Sequence, residues 1–466
     1  MTAISGEKTA LRSKVKTGGV RWSILAMLFI VTTVNYADRS TLSIAGDAIQ
    51  KTLGINAVTM GYLFSAFGWT YLISQIPSGY LLDRFGAKKV YGCAIVLWSA
   101  FTMAQGAIGN FSAATAVGLL FLLRLLVGLF EGPSFPGNSK IVAAWFPTKE
   151  RGFAAAIFNS AQYFATVVFT PLMGWLVVSM GWEHVFTVIG GIGVVLGFVW
   201  LVVIYSPAKH PRLRQPELEY ITEGGAVLEM DKPTRTVKPP KGLTGRYLKA
   251  LLSNRMLLGI YVGQYFINTI TWFFLTWFPV YLVQDRGMSI LKAGFVAVLP
   301  ALCGFIGGIL GGFVSDRLLR HGVSLTWARK IPIVTGLLLS SSILICNWVD
   351  TEWLIVTIMA LSFFGKGLGA LGWAVVADTA PKQVSGLSGG VFNTFGSLAA
   401  ITTPIIIGYL ISLAGNFSLA LIYVGASAVA AVLSYLLIVG PIRRLDFAYL
   451  DTTTSDTKGT ATEQPA

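Results

Sequence analysis

Long apolar stretches, broken by glycine, proline and charge, follow one another from Val20 to Gly440. Read for length and period, they predict helices near 21–46, 56–82, 90–109, 114–135, 152–179 and 184–205, then near 255–284, 291–315, 329–348, 353–377, 387–413 and 417–440. About 20 apolar residues carry a helix across a bilayer core, and in hydrocarbon each segment has to satisfy its own backbone groups. The pattern therefore predicts an all-α integral membrane protein with twelve transmembrane helices. Residues 206–254 are the one long polar interruption and read as a linker between an N-terminal bundle, 1–205, and a C-terminal bundle, 255–440. A regulatory or lipid-contacting loop is the other reading of that stretch. Residues 441–466 read as a polar, disordered tail. The apolar run after the basic residues 1–19 is too long for a signal peptide and lacks a small-residue cleavage site, so the first span is expected to be retained.

Composition agrees. Of 466 residues, 54% are apolar or aromatic and 12% charged, with a mean hydropathy of +0.68, about half the charge of an ordinary soluble domain. A net charge of +14 would suggest nucleic acid in a soluble chain, but its distribution says otherwise. Of the 35 Lys and Arg, 29 fall in the two ends, the linker and alternate connections. Lys51, Arg286 and Lys292 lie on the opposite side, and Arg39, Arg124 and Lys366 lie within spans. By the positive-inside rule both termini and the linker are cytoplasmic, so the basic excess is topological and no nucleic-acid partner is expected. Cys93, Cys303 and Cys346 sit in apolar runs without CxxC spacing, and are expected to be buried, inert thiols. His184, His210 and His321 are far apart in polar connections, so no metal is expected. Gly365-Lys366-Gly367 lacks the Ser/Thr and the spaced glycine of a Walker A loop, which disfavours an ATP-driven pump. No cofactor is implied.

The chain repeats itself. Gly79-x-x-x-Asp83-Arg84 recurs as Gly312-x-x-x-Asp316-Arg317, 233 residues on; Pro147, Gly152 and Phe158-Asn159 recur 234 residues on as Pro381, Gly386 and Phe392-Asn393. Two six-helix pseudo-repeat halves with a site between them near the midplane is the architecture of many secondary transporters.

Gly79-Tyr80-Leu81-Leu82-Asp83-Arg84-Phe85-Gly86-Ala87-Lys88-Lys89 resembles the loop between helices two and three of the major facilitator superfamily. Asn35-Tyr36-Ala37-Asp38-Arg39, Phe130-Glu131-Gly132-Pro133-Ser134-Phe135-Pro136-Gly137-Asn138 and Trp145-Phe146-Pro147 resemble its anion:cation symporters, which carry organic acids. Thr41-Leu42-Ser43-Ile44-Ala45-Gly46, Phe158-Asn159-Ser160-Ala161-Gln162-Tyr163-Phe164 and Phe363-Phe364-Gly365-Lys366-Gly367 are similar to bacterial glucarate/galactarate permeases. The resemblance covers nearly the whole chain. It implies the major facilitator fold, proton symport of a sugar-acid anion, no enzymatic activity, and a monomer in the bacterial inner membrane.

Ionisable side chains at bilayer depth are costly and mark function by default. Five stand out: Asp38, Arg39, Arg124, Glu131 and Lys366. Asp38 and Arg39 point about 100° apart on a helix, so they are not expected to pair with each other, whereas Arg124 and Glu131 share one face two turns apart. With both acids ionised the five sum to +1; a dicarboxylate brings the cavity to −1 and one proton restores neutrality. Asp38 and Glu131 are the candidate proton carriers, as the resemblance also implies. Arginine offers a planar fork for carboxylate, so Arg39 and Arg124 are expected at one end of the substrate and Lys366 at the other, which favours a six-carbon diacid over a monoacid. The plainer alternatives are a structural Arg39–Glu131 pair, and a Lys366 that snorkels or pairs with Asp378, nearly 18 Å along the helix. Neutral groups for hydroxyl recognition are Tyr36, Tyr71, Gln162, Gln264, Trp373 and Asn393, with Tyr265, Asn268 and Trp272 as weaker candidates. Each could instead pack or bond between helices.

Asp83, Arg84, Asp316 and Arg317 are candidate gating residues, able to bond across the halves when the inner side shuts. Arg124-x-x-x-Gly128-x-x-x-Gly132 predicts close helix approach. Together these residues point to a proton-coupled importer of galactarate or glucarate working by alternating access. Galactonate or hexuronate symport is the nearest rival. A receptor that binds without transport is a further alternative; a membrane enzyme lacks any nucleophile–base or metal cluster, and a multidrug antiporter lacks a net acidic cavity.

Overall fold

A computed structural model describes residues 19–228, 230, 243–381 and 384–447, and every regular element among them is helical. The basic start, Lys382 and most of the polar tail lie outside the described residues. Helix α1 (Val20–Leu53) runs seven residues beyond the predicted stop, because Asp47 is buried and paired rather than solvated. It ends at Gly54, whose φ of +64° is the left-handed conformation that closes a helix. Next come α2 (Ala57–Phe85), α3 (Ala87–Gln105), and α4 (Ala113–Glu131) with α5 (Ser134–Trp145), interrupted at Gly132-Pro133. Helices α6 (Arg151–Met180) and α7 (Trp182–Val203) complete the first half.

Short helices α8 (Gln215–Glu223) and α9 (Leu243–Ser253) follow, then α10 (Arg255–Thr276) and α11 (Phe278–Gln284), bent by 50° at Trp277. The rest are α12 (Ile290–Val296), α13 (Val298–Arg320), α14 (Leu325–Ser340) with a 3-10 extension to Trp348, α15 (Glu352–Leu368), α16 (Gly372–Thr379), α17 (Ser385–Ala414) and α18 (Ser418–Leu433), closed by a π-turn over Ser434–Ile438. Ten of these units are long and apolar enough to cross a membrane, and α10–α11 makes eleven if the bent pair is one span. Helix α2 has the length, 29 residues or about 43 Å, but carries Thr, Tyr, Gln and Ser in place of aliphatic residues because it packs against α4 and α17. The predicted twelve segments are all present as helices.

Close contacts are made by small residues. A Cβ on Gly128 would lie 2.2 Å from the Phe67 carbonyl, and one on Gly132 would lie 2.3 Å from Ser74 Oγ, so these glycines let α4 lie against α2 as the spacing predicts. Glu217 on α8 is fully buried and accepts the backbone N–H groups of Val20 and Arg21, capping the start of α1. Arg151 donates to the Gly225 carbonyl at 2.7 Å, and Thr148 N–H donates to the Gly224 carbonyl. Residues 215–227 are therefore fastened to the first half rather than forming a slack connector. Of the thiols, only Cys346 is buried; Cys93 is exposed and Cys303 intermediate. The expectation of three buried thiols is corrected, since an apolar neighbourhood in sequence also describes a lipid-facing helix surface.

The halves touch unevenly. At the end remote from α8 and α9, hereafter the far end, α2 runs along α17, α6 packs on α12 and α1 on α11. Ser43 donates to the Thr276 carbonyl at 2.6 Å, Thr170 to the Gly294 carbonyl at 3.0 Å, and Gln284 to Asp47 at 3.1 Å. At the linker end, Ile76, Tyr80 and Phe153 are more than half exposed, and a Cβ on Gly79, Gly386 or Gly390 would meet nothing. The structure is sealed at the far end and splayed at the linker end.

Candidate functional site

Four of the five in-span charges lie inside the first half. Asp38 and Arg39 leave α1 in different directions, as adjacent helical residues must. Arg39 brings Nε to 2.9 Å and Nη2 to 2.8 Å of Glu131 Oε2. Its guanidinium carbon lies 4.9 Å from the Tyr36 ring centre and 4.8 Å from those of Phe67 and Tyr71, an aromatic cage for a cation. Asp38 accepts from Thr102 at 2.6 Å and holds Arg124 at 3.9 Å, too far for a hydrogen bond. All four side chains are buried. Asp38 Oδ1 and Arg124 Nε have no hydrogen-bond partner among the described residues, and the Asn35 amide stands beside the Glu131 carboxylate. Orphaned buried polar atoms are expensive, and here they cluster around two acids and two bases whose charges cancel.

Lys366 is placed by its neighbours. Gly365 presses on Gly336 of α14 and Gly367 on Gly304 of α13, so α15 is held on both sides and Lys366 emerges between them. Its ammonium lies 5.1 Å from the Phe363 ring centre, and Phe363 lines the cavity between the halves. Among the described residues no carboxylate reaches it. Asp378, the alternative partner, is taken by Arg329 at 2.8 Å.

That cavity lies between α1, α6, α10, α11, α13 and α15. Tyr36 and Gln162 line it, as expected from the sequence. Arg39, Arg124, Tyr71, Gln264, Lys366, Trp373 and Asn393 do not. Trp373 is more than half exposed and packs edge-on against Phe392. Asn393 donates to Gln75 of the first half at 2.5 Å. A Cβ on Gly372 would come within 2.8 Å of Gln264 Oε1, so Gln264 lies against α16, while Asn268 donates to the Gln264 carbonyl. Tyr265 bonds Thr402 at 2.9 Å, and Trp272 reaches across to Phe67. The four loop residues stay within their own halves: Asp83 pairs with Lys140 at 2.8 Å, Arg84 with Tyr80 at 3.0 Å, and Asp316 with Arg329 at 3.6 Å. For Arg317 the bond is its carbonyl's, to the His321 ring.

Sequence reasoning missed Ser40, Ser43, Tyr163, Thr166, Thr170 and Thr271 on the cavity wall. A signal existed: Tyr36, Ser40, Ser43 and Gln162, Thr166, Thr170 recur every three to four residues, one hydroxyl or amide stripe on each helix. Gln75 and Asp47 were missed too, because a single polar residue in a span reads as incidental.

A twofold-repeated helical bundle with a largely apolar cavity between halves, striped by hydroxyl and amide groups and sealed at one end, defines a membrane transporter. A sequence model of the Major Facilitator Superfamily matches residues 28–328, and the chain belongs to that superfamily. It is 61% identical over 430 residues, 92% of this chain and 94% of the other, to the probable galactarate/D-glucarate transporter GudP of Bacillus subtilis (strain 168). It is 58% identical over 443 residues, 95% of this chain and 98% of the other, to the probable galactarate/D-glucarate transporter GudP of Escherichia coli (strain K12). The crystal structure of a D-xylose-proton symporter has the same fold, with a TM-score of 0.67 at 15% identity over 90% of this chain and 98% of that one. The protein is a transporter and not an enzyme.

Proposed function

We propose that the protein is a proton-coupled importer of the hexaric acids galactarate and glucarate. In this reading it sits in the bacterial inner membrane with both termini cytoplasmic, its halves at 1–205 and 255–440 joined by the 206–254 linker, with 441–466 as the tail. The splayed linker end is then the cytoplasmic mouth. The observation that carries the reading is the buried Arg39–Glu131 pair, made through one carboxylate oxygen. A substrate carboxylate approaching Arg39 competes with Glu131 for one guanidinium, and two carboxylates in a low-dielectric site repel. A proton on Glu131 removes the competitor and frees the fork, so substrate and proton arrive together. Asp38 beside Arg124 repeats the arrangement, and a proton there frees a second base.

Lys366 supplies the cation of the second half, meeting the other carboxylate of a diacid. Tyr36 and Gln162 on the cavity wall, with Tyr71, Gln264, Trp373 and Asn393 nearer the open mouth, are assigned to the hydroxyls. Asp83, Arg84, Asp316 and Arg317 form cross-half bonds only after the halves rock shut at the linker end. A monoacid reading has one observation in its favour: both arginines already have carboxylate partners, so Lys366 alone could serve a galactonate or hexuronate. The test is uptake of labelled galactarate into proteoliposomes at clamped membrane potential, with and without an inward proton gradient. Gradient-dependent accumulation is expected. Accumulation of a sugar monoacid alone would retain the coupling pair and discard the two-ended clamp.

A further inference from the structure

The seam between α2 and α17 is the longest contact of the two halves, and it has a definite end. A Cβ on Gly408 would lie 2.6 Å from the Ala57 carbonyl, one on Gly61 2.6 Å from the Pro404 carbonyl, and one on Gly68 3.0 Å from Ala400. Seven residues further along α2, Gln75 replaces glycine. Its Oε1 accepts from Asn393 Nδ2 at 2.5 Å, and its Nε2 lies 3.5 Å from Ser397 Oγ. Beyond it the helices part: Ile76 is 85% exposed, and positions 79, 386 and 390 face open space. Gln75 is thus the last rung of the closed seam, at the inner edge of the open mouth.

It is also a polar rung, the counterpart at this end of the Tyr62–Tyr409 hydroxyl pair, 3.3 Å, toward the far end of the same contact. Gln75 lies one turn beyond Tyr71, whose ring caps the Arg39 guanidinium, so both share one face of α2. Its partner Asn393 follows Phe392, which carries Trp373. A primary amide has two donors and two acceptor lone pairs; here one acceptor is well used and one donor is at the limit of a hydrogen bond. Asn393 Oδ1 likewise has no bond drawn from it by Gln75.

We propose that Gln75 is a specificity-determining residue for the polyhydroxylated substrate. The Gln75–Asn393 pair opens to take a hydroxyl of the bound sugar acid between its two amides, exchanging one amide–amide bond for two amide–hydroxyl bonds that join the halves through the substrate. The inference rests on the transport reading above, and on hydroxyl recognition rather than on a second carboxylate. It makes Gln75 the first-half counterpart of Asn393, tying hydroxyl recognition to the contact that ends where the mouth begins.

The experiment measures galactarate uptake kinetics in proteoliposomes of the full-length wild type and of Gln75→Leu, with competition by adipate, the same six-carbon diacid without hydroxyls. Loss of a buried hydrogen bond to substrate is expected to raise KM about tenfold, with the maximal rate within about twofold and inhibition by adipate unchanged or stronger. An unchanged KM, or a fallen maximal rate with unchanged KM, would show a seam residue of purely structural role and overturn the inference. If the leucine variant does not purify as a monodisperse protein, Gln75→Met keeps the unbranched length and carries the same expectation. Inactivity of the wild type toward galactarate would overturn the transport reading instead, so the two failures are distinct.

Discussion

The two halves share a repeat and differ in charge. At the offset of 234 residues, Asp38 and Arg39 fall on Trp272 and Phe273, and Glu131 falls on Gly365, the neighbour of Lys366. The first half thus buries Asp38, Arg39, Arg124 and Glu131 together, while the second sets aromatic rings and the Lys366 ammonium against them. Under the proton-coupled reading proposed above, the difference places coupling in the first half. A proton exchanging against an arginine pair within one half would be carried through the rocking motion intact, because the Arg39–Glu131 and Arg124–Asp38 pairs do not cross the seam. On the same reading the second half needs only to recognise and to move.

The largest test of that asymmetry is Glu131→Gln, which keeps shape and removes the titrating oxygen. Truncating one partner of a buried charge pair costs about 2–5 kcal/mol. Gradient-driven accumulation is therefore expected to fall at least about a hundredfold, while exchange of labelled for unlabelled substrate, which needs no net proton, stays within a few-fold. Equal loss of both activities would place Glu131 in the fold rather than in coupling. In the second half, Lys366→Asn removes a charge-assisted contact worth about 1.5–3 kcal/mol. Diacid uptake is expected to fall tenfold or more, with monoacid uptake much less affected; equal losses would remove the bridging role.

What the sequence made legible follows the same division. Twelve spans, the repeat and the five costly charges all announce themselves, because a charge in an apolar run has few cheap explanations. Arg39 with Glu131 was foreseen as one of two alternatives, but proximity between residues 92 apart in the chain depends on how α4 meets α1, and Gly128 and Gly132 set that contact through α2. The cavity wall was less legible. Serine and threonine in a span can return a hydrogen bond to their own helix, as Thr166 and Thr170 do, so a hydroxyl stripe carries no obligatory signal. Within the linker, the polar pattern gave no sign that Glu217 would be buried against the start of α1.

A smaller effect tests the seal between the halves. Asp47 accepts from Gln284 of the second half at 3.1 Å and from Lys51 of its own helix at 2.9 Å. Asp47→Ala deletes both bonds at the far end and leaves the charged cluster untouched. Labelling of a cysteine introduced near the far end, in a background lacking the three native thiols, is expected to quicken several-fold, with KM for substrate within about twofold. Unchanged labelling would show that the remaining contacts of α2 with α17, α6 with α12 and α1 with α11, the Ser43 and Thr170 hydrogen bonds included, hold the seal without Asp47.

The smallest expected effect is at the open end. Asp83 and Lys140 pair at 2.8 Å with side chains 39% and 19% exposed, and a solvent-exposed pair contributes about 0–1 kcal/mol. Breaking it by Asp83→Asn should leave thermal stability nearly unchanged. Its consequence lies in the other conformation: if Asp83 changes partner as the halves close, the variant loses a bond that the splayed state never had. Transport is then expected to slow about two- to fivefold, and far-end cysteine labelling to decrease, because the linker end stays open for longer. The same change at Asp316 weakens its contact with Arg329 but leaves Arg329 held by Asp378 at 2.8 Å, so Asp316→Asn should alter the splayed state even less. If neither variant shifts transport or labelling, these loops anchor the helix ends and the gate is made by packing.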